Sequence, residues 1–170
     1  LLIALDSSSR RLERVRENCT RMGLDQVLIR LSRPEEILSL AEEPADLVIA
    51  DVPCSGFGTM RRHPDIRWNR TSEGISRLPE VQGKILEDAA RITANGGIIV
   101  YSTCTILKAE NEDVVAAFLL GHPEFSVDSR GGNLPEGARV FLTQEGYMKI
   151  LPGKDLPDGF FAARIVKKRQ

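Results

Sequence analysis

The stretch DLVIADVPCSG, residues 46–56, decides the fold of this chain, because it joins a strand of buried type to a reactive turn. Residues 46–50 form a short apolar run rich in Val and Ile, which is typical of a strand in a parallel sheet. Asp51, Pro53 and Cys54 follow directly. In an open parallel sheet, ligands bind beyond the carboxyl ends of the strands, so this run predicts a carboxylate and a thiol at a ligand-binding edge.

Three further apolar runs outside this stretch show the same alternation with helical patterns. We predict strands over residues 2–6, 27–31 and 98–101, in addition to 46–50. We predict helices over residues 12–22, from Pro34 onward, over 81–92 and over 109–120. Strands that alternate with helices predict an α/β fold with a doubly wound, Rossmann-like sheet.

The last third of the chain has a different pattern. Residues 125–128, 139–143, 146–151 and 160–166 are short apolar segments separated by Gly and Pro turns. Such segments predict an antiparallel addition to the parallel sheet. With no repeat or interdomain linker in the sequence, we assign residues 1–170 to one domain.

Composition restricts the function classes. The chain has 170 residues, 42% of them hydrophobic, and a net charge of -1, so contact with a polyanion would require a local basic cluster. Three widely spaced cysteines fit a reducing compartment, and no apolar run approaches the roughly 18 residues of a membrane span, so we expect a cytoplasmic protein. Two histidines, His63 and His122, do not form a zinc-binding pattern, and we predict no metal.

Reactive side chains follow three of the four predicted parallel strands: Asp6, then Asp51 with Cys54, then Cys104. Asp6 alone fits either a turn residue or a carboxylate that accepts hydrogen bonds from ribose hydroxyls. Each thiol alone fits an ordinary buried cysteine. Two thiols and a carboxylate at the ends of neighbouring strands instead predict a shared reactive site.

The loop from Val52 to about Thr71 is long for this fold class, and long loops are often functional. It concentrates positive charge and the single Trp of the chain in one segment. That segment carries Arg61, Arg62, His63, Arg67 and Trp68. It fits either a solvated charged surface or a nucleic-acid contact with Arg on phosphate and Trp68 on a base; its place beside the cysteines favours the second interpretation.

The chain resembles the Sun/RsmB-like (NOL/NOP/Sun) family of RNA cytosine-5 methyltransferases. The resemblance lies in four segments that cover nearly the whole chain. They are DVPCSG at residues 51–56, RRHPDIRW at 61–68, YSTCT at 101–105 with ENE at 110–112, and DGFF at 158–161. It implies a class I methyltransferase fold, S-adenosylmethionine as cofactor and RNA, ribosomal or transfer, as partner.

The resemblance also implies roles for individual residues. Cys104 would be the nucleophile that adds to C6 of cytosine, and Cys54 would help to release the product. Asp51 would bind the cytosine edge and lie close to the cofactor, together with Asp6 and Pro53. The target base would have to leave its stack to reach this site.

The sequence departs from the family pattern in three places. The family's first strand and glycine-rich loop have no counterpart upstream of Asp6, so we expect this chain to be the C-terminal part of a catalytic domain, with the N-terminal part as its partner. Ser32 stands where an acidic residue usually faces the adenine, and Lys154-Asp155 stands where a histidine is often found.

Three alternatives remain open on the sequence. The chain could be a truncated, non-catalytic RNA-binding remnant, because it lacks the cofactor loop. It could be a DNA cytosine-5 methyltransferase, in which Cys54 of the Pro-Cys pair would be the nucleophile and Cys104 dispensable. It could also be a thiol redox protein, although it has no CxxC pair.

Overall fold

The computed structural model describes residues 2–24, 26–31, 44–129, 134–153 and 157–169. The chain falls into two compact units, Leu1–Glu42 and Glu43–Gln170, each with its own sheet. The helix predicted from Pro34 lies outside the described residues, and so do Ser32 and Lys154-Asp155.

The first unit contains β1 (Leu2–Asp6), α1 (Ser9–Arg21) and β2 (Val27–Leu31). The two strands pair in parallel, from Leu2 opposite Val27 to Asp6 opposite Leu31. Ser8 caps α1, since its side chain accepts a hydrogen bond from the backbone N–H of Arg11, and Gly23 follows the helix at a positive φ of 66°. The two predicted strands are confirmed, and the helix predicted over residues 12–22 is present as Ser9–Arg21.

The second unit is larger and starts with a strand that leads into the long loop. Its strands are β3 (Ala45–Asp51), β4 (Thr93–Thr103), β5 (Phe125–Val127), β6 (Tyr147–Ile150) and β7 (Phe160–Lys167). Its α-helices are α2 (Ile66–Asn69), α3 (Ser72–Ser76), α4 (Leu78–Ile92) and α5 (Glu112–Gly121). Short 3-10 helices cover Phe57–Thr59, Lys108–Glu110 and Glu136–Phe141.

The sheet of this unit combines parallel and antiparallel pairing. β3 and β4 are parallel, with Asp51 opposite Ser102 at their carboxyl ends. β7 runs antiparallel to β4, and β5 and β6 run antiparallel to β7. The α/β class and the antiparallel C-terminal addition are therefore confirmed.

The core of the second unit lies where α4 and α5 pack on the sheet. Its fully buried side chains include Leu86 of α4, Val115 of α5, Ile99 and Tyr101 of β4, and Phe161 of β7. Burial of such apolar side chains is the main stabilising term, at roughly 1.5–3 kcal/mol for each large one. The core therefore fixes β4, whose carboxyl end leads to Cys104.

Two predicted details are corrected by the structure. Residues 139–143 do not form a strand: they belong to the 3-10 helix Glu136–Phe141 and its end, and only Leu142 makes an isolated bridge, to Met148. Residues 139 and 140 are both exposed and residues 141–143 are all half-buried, so the segment lacks the alternation of a strand that packs one face on a core. β4 also begins earlier than predicted, and a bulge that includes Gly96, at φ 79°, lies within it.

Two glycines allow three loops to meet beside the carboxyl end of β4. The N–H of Gly58 donates to the carbonyl of Cys104 at 3.0 Å, and the N–H of Gly159 donates to the carbonyl of Gly58 at 2.8 Å. A Cβ atom on Gly58 would lie 2.2 Å from the Gly159 carbonyl oxygen and 2.8 Å from that of Cys104. Both obstacles are backbone, so they cannot rotate away.

We therefore predict that Gly58→Ala lowers the free energy of unfolding by about 3 kcal/mol or more, at the upper end of overpacking costs. Gly83→Ala is the matched control, since a Cβ there meets nothing within 4 Å and Gly83 lies inside α4. It should raise stability by about 0.5–1 kcal/mol, because alanine favours the helix. Urea unfolding midpoints measure both, and equal midpoints for the two variants would contradict the close approach.

Candidate active site

The two thiols predicted at neighbouring strand ends lie together in the structure. Cys54 follows β3 and Cys104 follows β4, and their Sγ atoms are 3.4 Å apart, within hydrogen-bonding distance for sulfur. The parallel pairing that sets Asp51 opposite Ser102 brings both turns to the same edge. The sulfurs therefore form a pair, although 50 residues separate them in the sequence.

The pair is electrostatically asymmetric. The hydrogen bond from Cys54 lowers the pKa of Cys104 to about 7, against the opposing effects of burial and of the charges on Asp51 and Glu110. The same hydrogen bond, together with burial, raises the pKa of Cys54 far above its ordinary value. At neutral pH, Cys104 therefore carries a large thiolate fraction, and Cys54 is the thiol that donates to it.

Asp51 stands at the end of β3 with its side chain available to a ligand. It is exposed, and its Oδ1 accepts a hydrogen bond from the hydroxyl of Ser102 at 3.3 Å. A carboxylate has about four acceptor positions, so several remain for a ligand. Pro53, which is also exposed, fixes the backbone between Asp51 and Cys54.

Asp6 lies in the first unit and is held by local contacts. Its Oδ2 accepts from Nε of Arg11, and its Oδ1 accepts from Nη2 of Arg11 and from the backbone N–H of Ser8, each at 2.7 Å. The hydrogen bond from Arg11 is the main reason that the pKa of Asp6 is lowered. Asp6 thus closes the turn before α1 and pairs with Arg11, and Oδ2 keeps acceptor capacity.

The basic loop divides into a paired part and an open part. Arg62 Nε lies 2.8 Å from Asp158 Oδ2, and Arg61 Nη2 lies 3.5 Å from Asp158 Oδ1. His63, Arg67 and Trp68 are exposed, and Trp68 has 81% of its surface accessible. The loop therefore presents an aromatic ring and a guanidinium to solvent, while its first two arginines are tied to the DGFF segment.

Sequence reasoning missed a group of buried polar residues around the two thiols. Ser55 and Thr105 each follow a cysteine, and their hydroxyl oxygens are 2.7 Å apart. Gln82 of α4 and Glu110 also reach this cluster, and all four residues are at most 1% exposed. The sequence signal for Glu110 is the ENE segment at residues 110–112, which is part of the family resemblance.

The part of the chain that the structure describes contains neither a membrane-spanning helix nor a cluster of metal-binding side chains. None of its helices is long and apolar enough to cross a membrane. Among the same residues, no group of three or more His, Cys, Asp or Glu side chains is placed to hold a metal ion.

Comparison with known proteins gives relatives over nearly the whole chain. The family model described as 16S rRNA methyltransferase RsmB/F matches residues 1–166. The probable ribosomal RNA small subunit methyltransferase B of Bacillus subtilis (strain 168) is 36% identical over 167 residues, which are 97% of this chain and 37% of that protein. The chain thus spans little more than a third of that relative's length.

Two solved structures from Pyrococcus horikoshii share the fold. NSun6 with SFG matches with a TM-score of 0.79 and 27% identity, over 99% of this chain and 41% of the other. A methyltransferase homolog protein matches with a TM-score of 0.74 and 27% identity, over 98% of this chain and 53% of the other. These likenesses confirm the methyltransferase-type fold that the sequence predicted.

The asymmetry of the thiol pair is open to direct measurement. We expect the rate of Cys104 alkylation by iodoacetamide to rise with pH through a midpoint near 7, because the pKa of Cys104 is lowered to about 7 and only the thiolate reacts. Cys54→Ala removes the hydrogen bond that lowers this pKa, so the midpoint should move towards or above the ordinary 9.0. Peptide mass spectrometry gives the rate at each site.

Cys19→Ala is the control for this measurement, because Cys19 lies on α1 in the other unit. It should leave the Cys104 midpoint unchanged. A Cys104 midpoint that is the same with and without Cys54 would show that the sulfur contact does not set the pKa.

Proposed function

The chain belongs to the 16S rRNA methyltransferase RsmB/F family, and from this premise we propose that, in its complete natural polypeptide, it transfers a methyl group to C5 of a cytosine in ribosomal RNA. The proposed methyl donor is S-adenosylmethionine, and the proposed route passes through a covalent bond between Cys104 and C6. The observation that carries the proposal is the 3.4 Å pair of sulfurs in which Cys104 is the more acidic thiol.

The first step needs a nucleophile, because C5 of cytosine is itself unreactive towards a methyl donor. The Cys104 thiolate adds to C6, the electron pair of the C5–C6 double bond shifts to C4–C5, and the C4–N3 pair moves to N3, which takes up a proton from solvent; C5 is then a nucleophilic enamine carbon. A thiol with a pKa near the working pH combines thiolate population with nucleophilicity. Cys104 meets that condition, and Cys54 does not.

Asp51 is suited to stabilise the ring during this addition. Its charge contributes to the Cys104 pKa, so its carboxylate lies within electrostatic range of the reacting sulfur. An exposed carboxylate with spare acceptor positions can accept a hydrogen bond from a protonated nitrogen on the base edge. Asp51 would therefore hold the cytosine and favour the charged ring of the adduct.

Cys54 is suited to the release step. The contact with Cys104 is the main cause of its raised pKa. Once the Cys104 sulfur is bonded to C6, it no longer carries a negative charge, so we expect the pKa of Cys54 to fall at that stage. Cys54 then loses its own proton to solvent, and its thiolate takes the proton from C5; the C5–H electron pair re-forms the C5–C6 double bond, and the electron pair of the C6–S bond returns to Cys104.

We assign the cofactor contact in the second unit to Asp51, at the carboxyl end of β3. Bound S-adenosylmethionine would supply the electrophilic methyl group that C5 takes up. In the second unit, Asp51 fits this ligand, because it is exposed and its carboxylate keeps acceptor positions for hydroxyl or amino hydrogens. Pro53 would present an apolar, exposed surface beside Asp51.

The RNA contact is assigned to the exposed part of the basic loop. Trp68 offers a ring for stacking on a base, and Arg67 and His63 offer donors to phosphate. Arg61 and Arg62 already contact Asp158, so their proposed role is to hold the shape of the loop and to add positive charge near the RNA. Charge attraction to phosphate and stacking on a base do not depend on the sequence, and together they can hold a base that has left its helix.

The test of the reaction is a covalent trap. With S-adenosylmethionine and RNA that contains 5-fluorocytosine, the fluorine cannot leave from C5 as a proton does, so the adduct should persist. We expect mass spectrometry to locate the RNA on Cys104, and Cys104→Ala to abolish the adduct. Cys54→Ala should keep it, and with ordinary cytosine should accumulate it, because release is slowed. Cys19→Ala serves as the matched control and should behave as the unmodified protein.

The outcomes separate the alternatives. An adduct on Cys54 that survives loss of Cys104 would support the chemistry of the DNA cytosine-5 methyltransferases instead. RNA binding without any adduct on either thiol would support a non-catalytic RNA-binding remnant. Either result would overturn the proposed role of Cys104.

The RNA surface gives a second prediction. Trp68→Ala should weaken binding of a single-stranded RNA by about 1–3 kcal/mol, the usual loss of one stacked base, or about 5- to 150-fold in Kd. Leu120→Ala is the control, since Leu120 is a similarly exposed apolar side chain on α5. Fluorescence anisotropy at fixed salt measures both, and equal Kd values would remove Trp68 from the interface.

A further inference from the structure

Glu110 is a fully buried acid beside the two reactive loops, and the proposed reaction does not use it. It ends the short 3-10 helix Lys108–Glu110 and has 0% of its surface exposed. A buried carboxylate costs several kcal/mol unless hydrogen bonds compensate for the lost water. Its neighbours should therefore explain its presence.

The carboxylate of Glu110 joins the segments that follow the two cysteines. Its Oε2 accepts from the backbone N–H of Ser55 at 2.8 Å, and its Oε1 lies 3.4 Å from the hydroxyl of Thr105. Ser55 follows Cys54, and Thr105 follows Cys104. One side chain thus contacts both loops immediately after their thiols.

Gln82 of α4 extends this link to the residue before Cys54. Its Nε2 donates to Oε2 of Glu110 at 3.0 Å and to the carbonyl oxygen of Pro53 at 2.9 Å. The backbone of the Cys54 loop is therefore held on both sides of the thiol, at Pro53 and at Ser55. Both contacts depend on the carboxylate, directly or through Gln82.

The Cys104 segment is held in a comparable way. The hydroxyl of Tyr101 donates to the carbonyl oxygen of Glu110 at 2.6 Å. Asn111 accepts from the hydroxyl of Thr103 at 2.6 Å and donates to the carbonyl oxygen of Thr105 at 3.1 Å. Residues on both sides of Cys104 are thus fixed against the chain at Glu110 and Asn111.

From these contacts we propose that Glu110 is a positioning residue that holds the Cys54 and Cys104 loops at the separation at which their sulfurs meet. The inference rests on the proposed function, because only a reaction that uses both thiols needs this separation. Glu110 touches neither sulfur, and it acts through Ser55 and Thr105. A displacement of about 1 Å in such a site can cost about 100-fold in rate.

An isosteric amide can preserve this arrangement, and a shorter acid cannot. In Glu110→Gln, the amide oxygen can accept from Ser55 and Gln82 while its NH₂ group faces the hydroxyl of Thr105, which can accept. Glu110→Asp keeps the charge but withdraws the carboxylate by about 1.5 Å, the length of one C–C bond. The two variants thus separate geometry from charge.

The experiment measures sulfur proximity and catalysis separately, in the complete natural polypeptide. Diamide takes two electrons and two protons from Cys54 and Cys104 as the sulfur–sulfur bond forms, and the rate of bond formation reports on their separation. We expect Glu110→Asp to slow this bond about tenfold or more and to lower kcat about 100-fold with little change in KM, because positioning is lost while substrate binding remains. Glu110→Gln should restore both rates to within about fivefold of the unmodified protein, a loss of about 1 kcal/mol.

The same variant has a signature in its pH dependence. The hydrogen bond from Cys54 lowers the pKa of Cys104, and the charges of Asp51 and Glu110 raise it. Removal of that charge in Glu110→Gln should therefore shift the Cys104 alkylation midpoint to lower pH. A residue that only supports the fold would not produce this shift together with a retained disulfide rate.

Thr93→Ala is the control for a general loss of stability. Thr93 is a buried residue whose hydroxyl donates to the Ala89 carbonyl at 2.7 Å, at the opposite end of β4 from Cys104. It should lower the unfolding temperature and leave the disulfide rate and kcat unchanged. If folded Glu110→Asp forms the Cys54–Cys104 bond at the unmodified rate, the positioning role is overturned.

Failure of the proposed function would give a different result. If the unmodified protein forms no RNA adduct and transfers no methyl group, the reaction assigned to the site is wrong. The diamide rates would still show whether Glu110 sets the sulfur separation, because that measurement needs neither RNA nor cofactor.

Discussion

The parallel pairing of β3 with β4 is the constraint on which the candidate site depends. It sets Asp51 opposite Ser102 and so ends both strands at one level, with Cys54 and Cys104 in the turns beyond. A shift by one residue would reverse the faces of every side chain on β3, so the packing of Val48 and Ala50 in the core fixes the register. The 3.4 Å contact between the sulfurs is a consequence of that register.

Proximity gives the two thiols different chemical characters. A hydrogen bond between two acids that share one proton stabilises one anion and disfavours the second. Here Cys104 is the thiol that becomes the anion, although its burial and the negative charges of Asp51 and Glu110 oppose ionisation. The two roles that a cytosine-5 transfer requires, an early nucleophile and a late base, would thus follow from a single contact, because formation of the carbon–sulfur bond removes the charge that holds the proton on Cys54.

Sequence reasoning found the features that local pattern and parallel topology determine. Strand ends can be located from apolar runs, and parallel strands of one sheet present their carboxyl ends together, so the approach of Cys54 and Cys104 was predictable. Glu110 was not found, because its partners Ser55 and Gln82 are 55 and 28 residues away and meet it only through the packing of α4. The pairing of Arg62 with Asp158 was not predicted either, because the two residues are far apart in the sequence.

The antiparallel tail has a structural consequence for the thiol site. Its pairing with β4 sets Phe161 opposite Thr103, which brings the preceding Gly159 against Gly58 and, through it, against the carbonyl of Cys104. The Cys104 turn is therefore held from one direction by β7 and from another by Glu110 and Asn111. In the proposed reaction, the Cys104 thiolate would have to be held within about 0.5 Å of its productive position, which requires such support, since loops fixed at one point rotate about it. The tail thus belongs to the architecture of the site as well as to the sheet.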